Sequence, residues 1–229
     1  FKMREYISPE GLRLDGRRPH ELRKFQSCIG WKKDNCDGSA FVEQGNTKVL
    51  VSIVGPHEPT IRSRQLHDSA FVHCEVGYAP FAQSNRQKKS KHDRRLTEMS
   101  LLIQETFESC ILLQRFPRSQ IDICVQVLQS DGSALSIAIN AVTLALIDAG
   151  IPMMDFVCAC SVGIIDTQPI IDLNFIEENS ESPIIPYAIH VNSSKVALLS
   201  MQCRMPTNQF QKCLELATFG CQQIYKLLR

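Results

Sequence analysis

One segment constrains the fold of this 229-residue chain more than any other. Residues 133–150, SALSIAINAVTLALIDAG, follow Asp131-Gly132 and are apolar on nearly every side of a helix, and Gly150 and Pro152 end the pattern. A helix that is apolar all round has no face suited to water. The sequence therefore predicts a helix that is buried in the core.

The residues around this helix favour strands. Alternation of apolar and polar residues predicts three strands before it that form an antiparallel sheet, separated by glycine-containing turns: residues 39–44, 47–56 and 69–80. Further strands are predicted at residues 120–129, 155–165, 168–174, 187–192 and 195–203, the last after a turn at residues 192–194.

Two more helices are indicated by apolar residues spaced three and four apart. The first begins at a cap formed by Asp93 and includes Leu96, Met99, Ile103, Phe107, Cys110 and Ile111. The second follows a Thr207/Asn208 cap and places Phe210, Cys213, Leu214, Ala217, Cys221, Ile224 and Leu228 on one face. The order predicts an α+β (mixed α/β) fold with helices packed on mixed or antiparallel sheets.

We expect residues 1–229 to form a single domain. Residues 1–24 are polar and rich in arginine, and we interpret them as an extended arm with a turn at Asp15-Gly16. Residues 82–92 are polar and basic without periodicity, which predicts a mobile loop.

Composition excludes several classes of protein. Hydrophobic residues make up 44% and charged residues 21% of the chain, as in an ordinary soluble protein, and we expect no membrane span and no secretion leader. The histidines are scattered and the glycine motifs of dinucleotide and P-loop sites are missing, so we expect no metal and no cofactor.

The ten cysteines show no CxxC spacing. We interpret eight of them as buried thiols in a reducing compartment rather than as disulfides or zinc ligands. They lie among apolar or alternating residues: Cys28, Cys74, Cys110, Cys124, Cys158, Cys160, Cys213 and Cys221.

Positive charge is concentrated in one short segment, although the net charge is only +1. Six of the ten residues from Arg86 to Arg95 are basic, and only Asp93 opposes them. Such a run is either a patch that binds a polyanion or a solvated loop.

Three segments resemble one family: residues 14–25 (LDGRRPHELRKF), residues 42–58 (VEQGNTKVLVSIVGPHE) and residues 129–166 (QSDGSALSIAINAVTLALIDAGIPMMDFVCACSVGIID). In this order they are similar to the RNase PH-like subunits of the RNA exosome core ring, of the type whose archaeal counterpart is the catalytic subunit. The resemblance spans essentially the whole chain. It implies the RNase PH fold, which is ribosomal protein S5 domain 2-like.

The resemblance also implies a damaged catalytic site. Phosphorolytic members hold phosphate with Gly-Gly-Thr-Arg at a helix N-terminus, where free N–H groups and the helix dipole attract the anion. The matching run here is Gly132-Ser133-Ala134-Leu135, so Gly132 and Ser133 are vestigial phosphate-binding positions and Leu135 replaces the arginine.

Active members also carry two aspartates, six residues apart, as candidate acid and metal ligands. The matching positions are Glu178 and Ile184, or Pro183 if one gap is allowed, so the second carboxylate is absent. Asp166 and Asp172 remain, and for these we favour a role at a strand end or turn over catalysis.

Two pairs of arginines are expected to bind RNA. The resemblance matches Arg94 and Arg95 to a pair that contacts RNA phosphates, and the helix dipole at their first turn adds to the attraction. Solvated arginines are the alternative. Arg62 and Arg64 correspond by position to loops that line the entry to the ring channel, where positive charge draws in single-stranded RNA.

The resulting hypothesis is a non-catalytic exosome ring subunit that contributes to assembly and to RNA threading for 3′→5′ processing and decay, including that of ribosomal RNA. The implied partners are other RNase PH-like subunits in a hetero-hexameric ring, S1/KH cap subunits, a separate hydrolytic exonuclease and single-stranded RNA. The expected locations are nucleus, nucleolus and cytoplasm. One alternative is an active phosphorolytic 3′→5′ exoribonuclease, in which Glu178 and Asp172 together replace the missing carboxylate and Arg94 and Arg95 replace the absent arginine. The other is a homohexameric bacterial-type tRNA-trimming enzyme.

Overall fold

Two sheets and four helices make up the described part of the chain. The computed structural model describes residues 6–31, 35–59, 65–83, 85–86, 93–165, 168–180 and 182–229. The first sheet has the order β1-β2-β3-β5-β4, and its strands are β1 (Phe25–Ile29), β2 (Gly38–Gln44), β3 (Thr47–His57), β4 (Phe71–Tyr78) and β5 (Gln120–Gln129). The second has the order β7-β6-β8-β9, and its strands are β6 (Val157–Ile165), β7 (Gln168–Ile171), β8 (Ile184–His190) and β9 (Lys195–Leu199).

The helices connect and cover these sheets. They are α1 (Arg94–Glu108), α2 (Ala134–Asp148), the short α3 (Phe175–Glu178) and α4 (Thr207–Leu228), with a 3₁₀ turn at Leu113–Arg115. Helix α1 packs on β4, and α4 packs on β6, β7 and β8. This confirms the predicted α+β class, with helices packed on sheets.

Helix α2 is the predicted buried helix. Twelve of its fifteen residues are buried, because it lies between β2 and β3 of the first sheet and β6 of the second. The approach to β2 is close: a Cβ at Gly38 would lie 2.4 Å from the Ala145 carbonyl oxygen. All nine residues of β6 are buried as well, since α2 and α4 both pack against that strand.

Two polar side chains fix α2 on the edge of β6. Strand β7 pairs with β6 only from Val162 onward, so the earlier backbone groups on this edge need other partners. The Asn140 side chain accepts from the Ala159 amide (2.8 Å) and donates to its carbonyl (2.9 Å), and Thr143 Oγ1 donates to the Val157 carbonyl (2.9 Å). Both polar residues are fully buried, and these bonds satisfy them.

Most predicted elements are present, with some corrections. Strands β2 to β9, α1 with its Asp93 cap, and α4 occur where predicted, whereas β1 and α3 were missed. The first sheet is not wholly antiparallel: β4 runs parallel to β5, because α1 crosses over between them. Helix α1 ends at Glu108, before Cys110 and Ile111, and Pro206 rather than Thr207 or Asn208 is the N-cap of α4.

The cysteine prediction is wrong at two positions. Cys28 and Cys124 are exposed, because their side chains lie on the face of the first sheet opposite α2 or at its edge. The other six are buried, and all ten cysteines, which fall in the described residues, are free of disulfides. Burial raises the pKa of the Cys74 and Cys158 thiols to about 12, so these thiols are protonated near neutral pH.

Residues 6–24 contain no helix and no regular strand, and the turn at Asp15-Gly16 includes a hydrogen bond from the Gly16 amide to the Arg13 carbonyl. Most of the predicted loop at residues 82–92 lies outside the described residues. Across the described ranges, none of the helices has both the length and the apolar character needed to span a membrane.

Candidate functional site

The loop between β5 and α2 has an unusual backbone. Gly132 has φ +84° and Ser133, the N-cap of α2, has φ +57°, a left-handed conformation that is uncommon outside glycine. Ser133 Oγ is hydrogen-bonded to Ser161 Oγ and donates to the Leu173 carbonyl (3.0 Å). These bonds join the start of α2 to β6 and to the residues before α3.

Helix α3 lies directly against this loop. A Cβ placed on Gly132 would be 2.4 Å from the Leu173 carbonyl oxygen and 2.9 Å from the Phe175 amide nitrogen. Only glycine therefore permits this approach of two backbones. Glu178, the last residue of α3, lines one cavity with Ala134 and Leu135 of the first turn of α2.

Replacing Gly132 by alanine should destabilise the fold by about 2 kcal/mol, because the methyl group overlaps backbone atoms and the positive φ is strained for any residue with a Cβ. Chemical denaturation of the variant and the parent measures this difference. Gly77→Ala is the matched control, since that glycine has ordinary φ and open space around the added Cβ. Equal losses for the two variants would contradict the close approach.

A cavity of about 610 Å³ opens beside this contact. Arg95 of α1, Leu135 of α2, Glu178 of α3 and Ile184 of β8 all line it, so the structure brings together four positions predicted from sequence. Pro183, the alternative match for the second carboxylate, also lines it. Other lining residues were not predicted as site residues, and include Tyr78, Glu98, Met99, Leu102 and Gln202. Leu135 and Ile184 give the cavity apolar surface at two positions where the resemblance implies an arginine and an aspartate.

Glu178 is one of the two acidic residues that line the cavity. Burial raises the pKa of its carboxyl, and a hydrogen bond from the Ser133 amide opposes this only in part, so the pKa stays above its usual value. Burial, with the nearby Glu178 charge, raises the pKa of Tyr78 to about 12. The cavity thus holds a carboxyl that is costly to ionise and a neutral phenol.

Arg94 and Arg95 are exposed at the first turn of α1, and they face different surfaces. Arg95 lines the cavity, whereas Arg94 lies with Thr97, Leu101 and Glu105 along the outer face of the helix. Asp93 accepts from the Arg95 amide (3.1 Å), and no acidic residue follows in the first turn. Both guanidinium groups therefore lie near the positive end of the helix dipole, but only Arg95 faces the cavity.

A buried ion network holds the arm against the site, and sequence reasoning missed it. Arg23 donates to both Asp172 carboxylate oxygens (2.7 and 3.0 Å) and to the Asp131 carbonyl (2.7 Å). Arg13 forms a salt bridge with Glu177, and all four of these charged side chains are at most 6% exposed. The only signal in the sequence was a cluster of arginines, since their partners lie about 150 residues away.

The Asp172 carboxylate is bound within this network. Its carboxylate also accepts from the Arg23 amide (2.7 Å), and its side chain is 1% exposed. The favoured structural role at a strand end fits this position, just beyond β7. Arg62, Arg64 and Asp166 lie outside the described residues, so the roles expected of them remain predictions.

Comparisons with known proteins agree with the fold. Two family models match, 3′ exoribonuclease family domain 1 at residues 21–152 and domain 2 at residues 155–219. The human exosome complex component RRP41 is 45% identical over 98% of this chain and 91% of its own length. The Arabidopsis thaliana homolog of RRP41 is also 45% identical, over 98% of this chain and 93% of its own length.

A solved structure matches as well. The crystal structure of rice (Oryza sativa) Rrp46 superposes with a TM-score of 0.82 at 27% identity, and the match covers 95% of this chain and 98% of the rice chain.

Proposed function

The chain belongs to the 3′ exoribonuclease family, of RNase PH type, and on that basis we propose that it is a ring subunit of an RNA exosome that guides RNA without degrading it. In this role it contributes to assembly and to RNA threading for 3′→5′ processing and decay. The relatives support the exosome assignment, since they are named as exosome complex components and this chain matches them over nearly their full length.

One observation supports the non-catalytic part of the proposal. The cavity that gathers Arg95 and Glu178 has Leu135 and Ile184 where a phosphorolytic site needs a phosphate-binding cation and a second carboxylate. Asp172 does not replace the missing carboxylate, because Arg23 binds both of its oxygens in the buried network. The pocket therefore keeps groups that can bind RNA but lacks two groups for the reaction.

The proposal extends to partners and location. We propose that other RNase PH-like subunits complete a hetero-hexameric ring, that S1/KH subunits cap it, and that a separate hydrolytic exonuclease degrades the threaded RNA. The complex would act in the nucleus, nucleolus and cytoplasm. Native mass spectrometry of the purified complex tests the ring, because its stoichiometry distinguishes a hetero-hexamer from a homohexamer.

The activity test uses labelled polyadenylate RNA with and without added phosphate. We expect the chain, alone and in its native complex, to release no nucleoside diphosphates in a phosphate-dependent manner, because each missing electrostatic group costs on the order of a hundredfold. Leu135→Arg by itself should not restore release, since the carboxylate at position 184 is still absent. Phosphate-dependent release that disappears on Glu178→Ala would establish the phosphorolytic alternative instead.

A further inference from the structure

A second cavity, the Phe81 cavity, has a volume of about 600 Å³ and lies next to the cavity that Arg95 lines. Three segments of the chain contribute to both cavities through residues three or four positions apart: Tyr78 and Phe81, Leu135 and Asp131, and Glu178 and Phe175. From Phe175 to Glu178 the rise along α3 is about 4.5 Å, close to the spacing of about 3.4 Å between stacked nucleotides of one strand. A single strand of RNA can therefore reach both cavities with neighbouring nucleotides.

Phe81 is exposed although its backbone is held in place. The residue is 73% exposed, whereas Ala79 and Ala82 on either side of it are buried. Three backbone hydrogen bonds of 2.9 Å fix this turn, from the Ala79 amide to the Val127 carbonyl, from the Ala82 amide to the Ala79 carbonyl, and from the Ser130 amide to the Ala82 carbonyl. The fold therefore presents the aromatic ring to solvent in a fixed position.

Phe175 supplies a second aromatic ring to the Phe81 cavity, and its backbone is fixed as well. It is 42% exposed, its amide donates to the Asp131 carboxylate (3.4 Å), and its amide nitrogen would lie 2.9 Å from a Cβ on Gly132. Single exposed apolar residues are common on protein surfaces, whereas aromatic residues that share a concave cavity are typical of a ligand site. Because both backbones are held before a ligand arrives, binding costs little ordering of the protein.

The rest of the cavity wall suits the polar edge of a nucleobase. Its uncharged and acidic polar residues include Asn46, Gln129, Ser130 and Asp131. Amide, hydroxyl and carboxylate groups can bond to the edge of a base, whereas an apolar peptide side chain would leave them without partners. Lys48 also lines the cavity, but Glu43 pairs with it (3.4 Å), and Asp131 adds a negative charge. The cavity therefore favours an uncharged ring over a phosphate.

We infer that the Phe81 cavity binds one nucleobase of the RNA, which stacks on Phe81 and Phe175. The inference rests on the proposed function, because it takes the guided RNA as the ligand. It adds a contact to a base, whereas Arg94 and Arg95 are expected to contact phosphates. Since every base has a flat face that can stack, this site should hold RNA with little regard to its sequence.

Binding of oligoadenylates by the assembled ring tests this inference. Each oligonucleotide of the set lacks the base at one position and keeps all of its phosphates. For the parent ring, loss of the base should weaken binding by about tenfold at one position, because base–aromatic stacking corresponds to this factor. The Phe81→Ala ring should bind the intact oligonucleotide about tenfold more weakly, and loss of the same base should then cost less than about threefold more.

Two further variants of the cavity separate the aromatic ring from other effects of the substitution. Phe81→Tyr keeps an aromatic ring and should bind RNA like the parent. Phe175→Ala, at the second ring, should weaken binding in the same direction as Phe81→Ala. In all three variants the slope of log K against log salt concentration should equal that of the parent, because no contact with a phosphate is lost.

Phe219→Ala is the matched control, since Phe219 is an exposed phenylalanine (46%) on α4 and does not line the cavity. Its affinity for the intact oligonucleotide should stay within about threefold of the parent. The inference is wrong if the Phe81→Ala ring loses as much as the parent at every position where a base is removed, or if the control loses as much as Phe81→Ala. It is also wrong if native mass spectrometry shows that Phe81→Ala and Phe175→Ala no longer join the ring, since the cavity would then bind a protein partner. A failure of the proposed function appears instead as phosphate-dependent release of nucleoside diphosphates by the parent.

Discussion

Replacing Asp172 by asparagine is expected to lower the free energy of unfolding by about 3 kcal/mol, because it leaves the buried Arg23 guanidinium without its counter-charge. The Asp172 side chain is 1% exposed, and its two oxygens accept three bonds from Arg23 at 2.7 to 3.0 Å. Asparagine is the informative substitution, since Asp172 has φ +54° and asparagine tolerates this conformation. The loss of stability therefore reports on the charge rather than on backbone strain.

Urea denaturation measures this loss, with Asp15→Asn as the matched control. Asp15 also pairs with an arginine of the arm, Arg17 (3.2 Å), but its side chain is 40% exposed. Exposed ion pairs contribute little, so the control should lie within about 1 kcal/mol of the parent. An Asp172→Asn chain as stable as the control would mean that the arm is not held by this ion pair.

The Arg23–Asp172 ion pair should also make the free energy of unfolding depend on pH. Burial raises the pKa of Asp172, but the charge of Arg23 and its hydrogen bonds lower it by more, so the pKa lies below the usual 3.8. A carboxyl whose pKa is lowered by folding stabilises the folded state fully above its unfolded pKa and loses this contribution as the pH falls through its folded pKa. The difference between the parent and Asp172→Asn should therefore persist at neutral pH and shrink below about pH 3.8.

Local patterns in the sequence were sufficient for most of the fold. The period of the apolar residues located α1 and α4, and a segment that is apolar on nearly every side located α2. Alternation located eight of the nine strands in the described residues. Strand β1 was missed because four of its five residues are exposed at a sheet edge, which leaves no apolar alternation to detect. These patterns also do not reveal whether two strands pair in parallel or antiparallel. The parallel pairing of β4 with β5 depends on how α1 connects the two strands.

The candidate site, like the fold, could be predicted only in part from the sequence. The resemblance placed Arg95, Leu135, Glu178 and Ile184 in related roles, and they line one cavity although 89 residues separate the first from the last. The bonds of Arg13 and Arg23 to Glu177 and Asp172 could not be predicted, because nothing local to an arginine identifies a partner about 150 residues away. Nor could periodicity indicate the close approach of Gly132 to the backbone from Leu173 to Phe175, since it depends on packing between distant parts of the chain.

Binding of single-stranded RNA by the assembled ring should weaken by about a hundredfold at low salt when Arg94 and Arg95 are both replaced by alanine. Each charge-assisted hydrogen bond contributes about 1.5 kcal/mol, and the two together correspond to this factor. Both side chains are exposed at the start of α1, outside the core, and alanine has a high helix propensity. Assembly and secondary structure should therefore be unchanged in this variant.

The salt dependence of binding distinguishes phosphate recognition from other causes. Removing one ionic interaction with a phosphate of a single strand should reduce the slope of log K against log salt concentration by about 0.7, so the double variant should lower it by roughly 1.4. Lys212→Ala/Lys226→Ala is the matched control, because it removes the same net charge from exposed positions on α4, which packs on the second sheet. If the Arg94/Arg95 variant keeps the parent slope, or if the slope of the α4 control falls as much, RNA does not follow the start of α1 and these arginines are ordinary solvated residues.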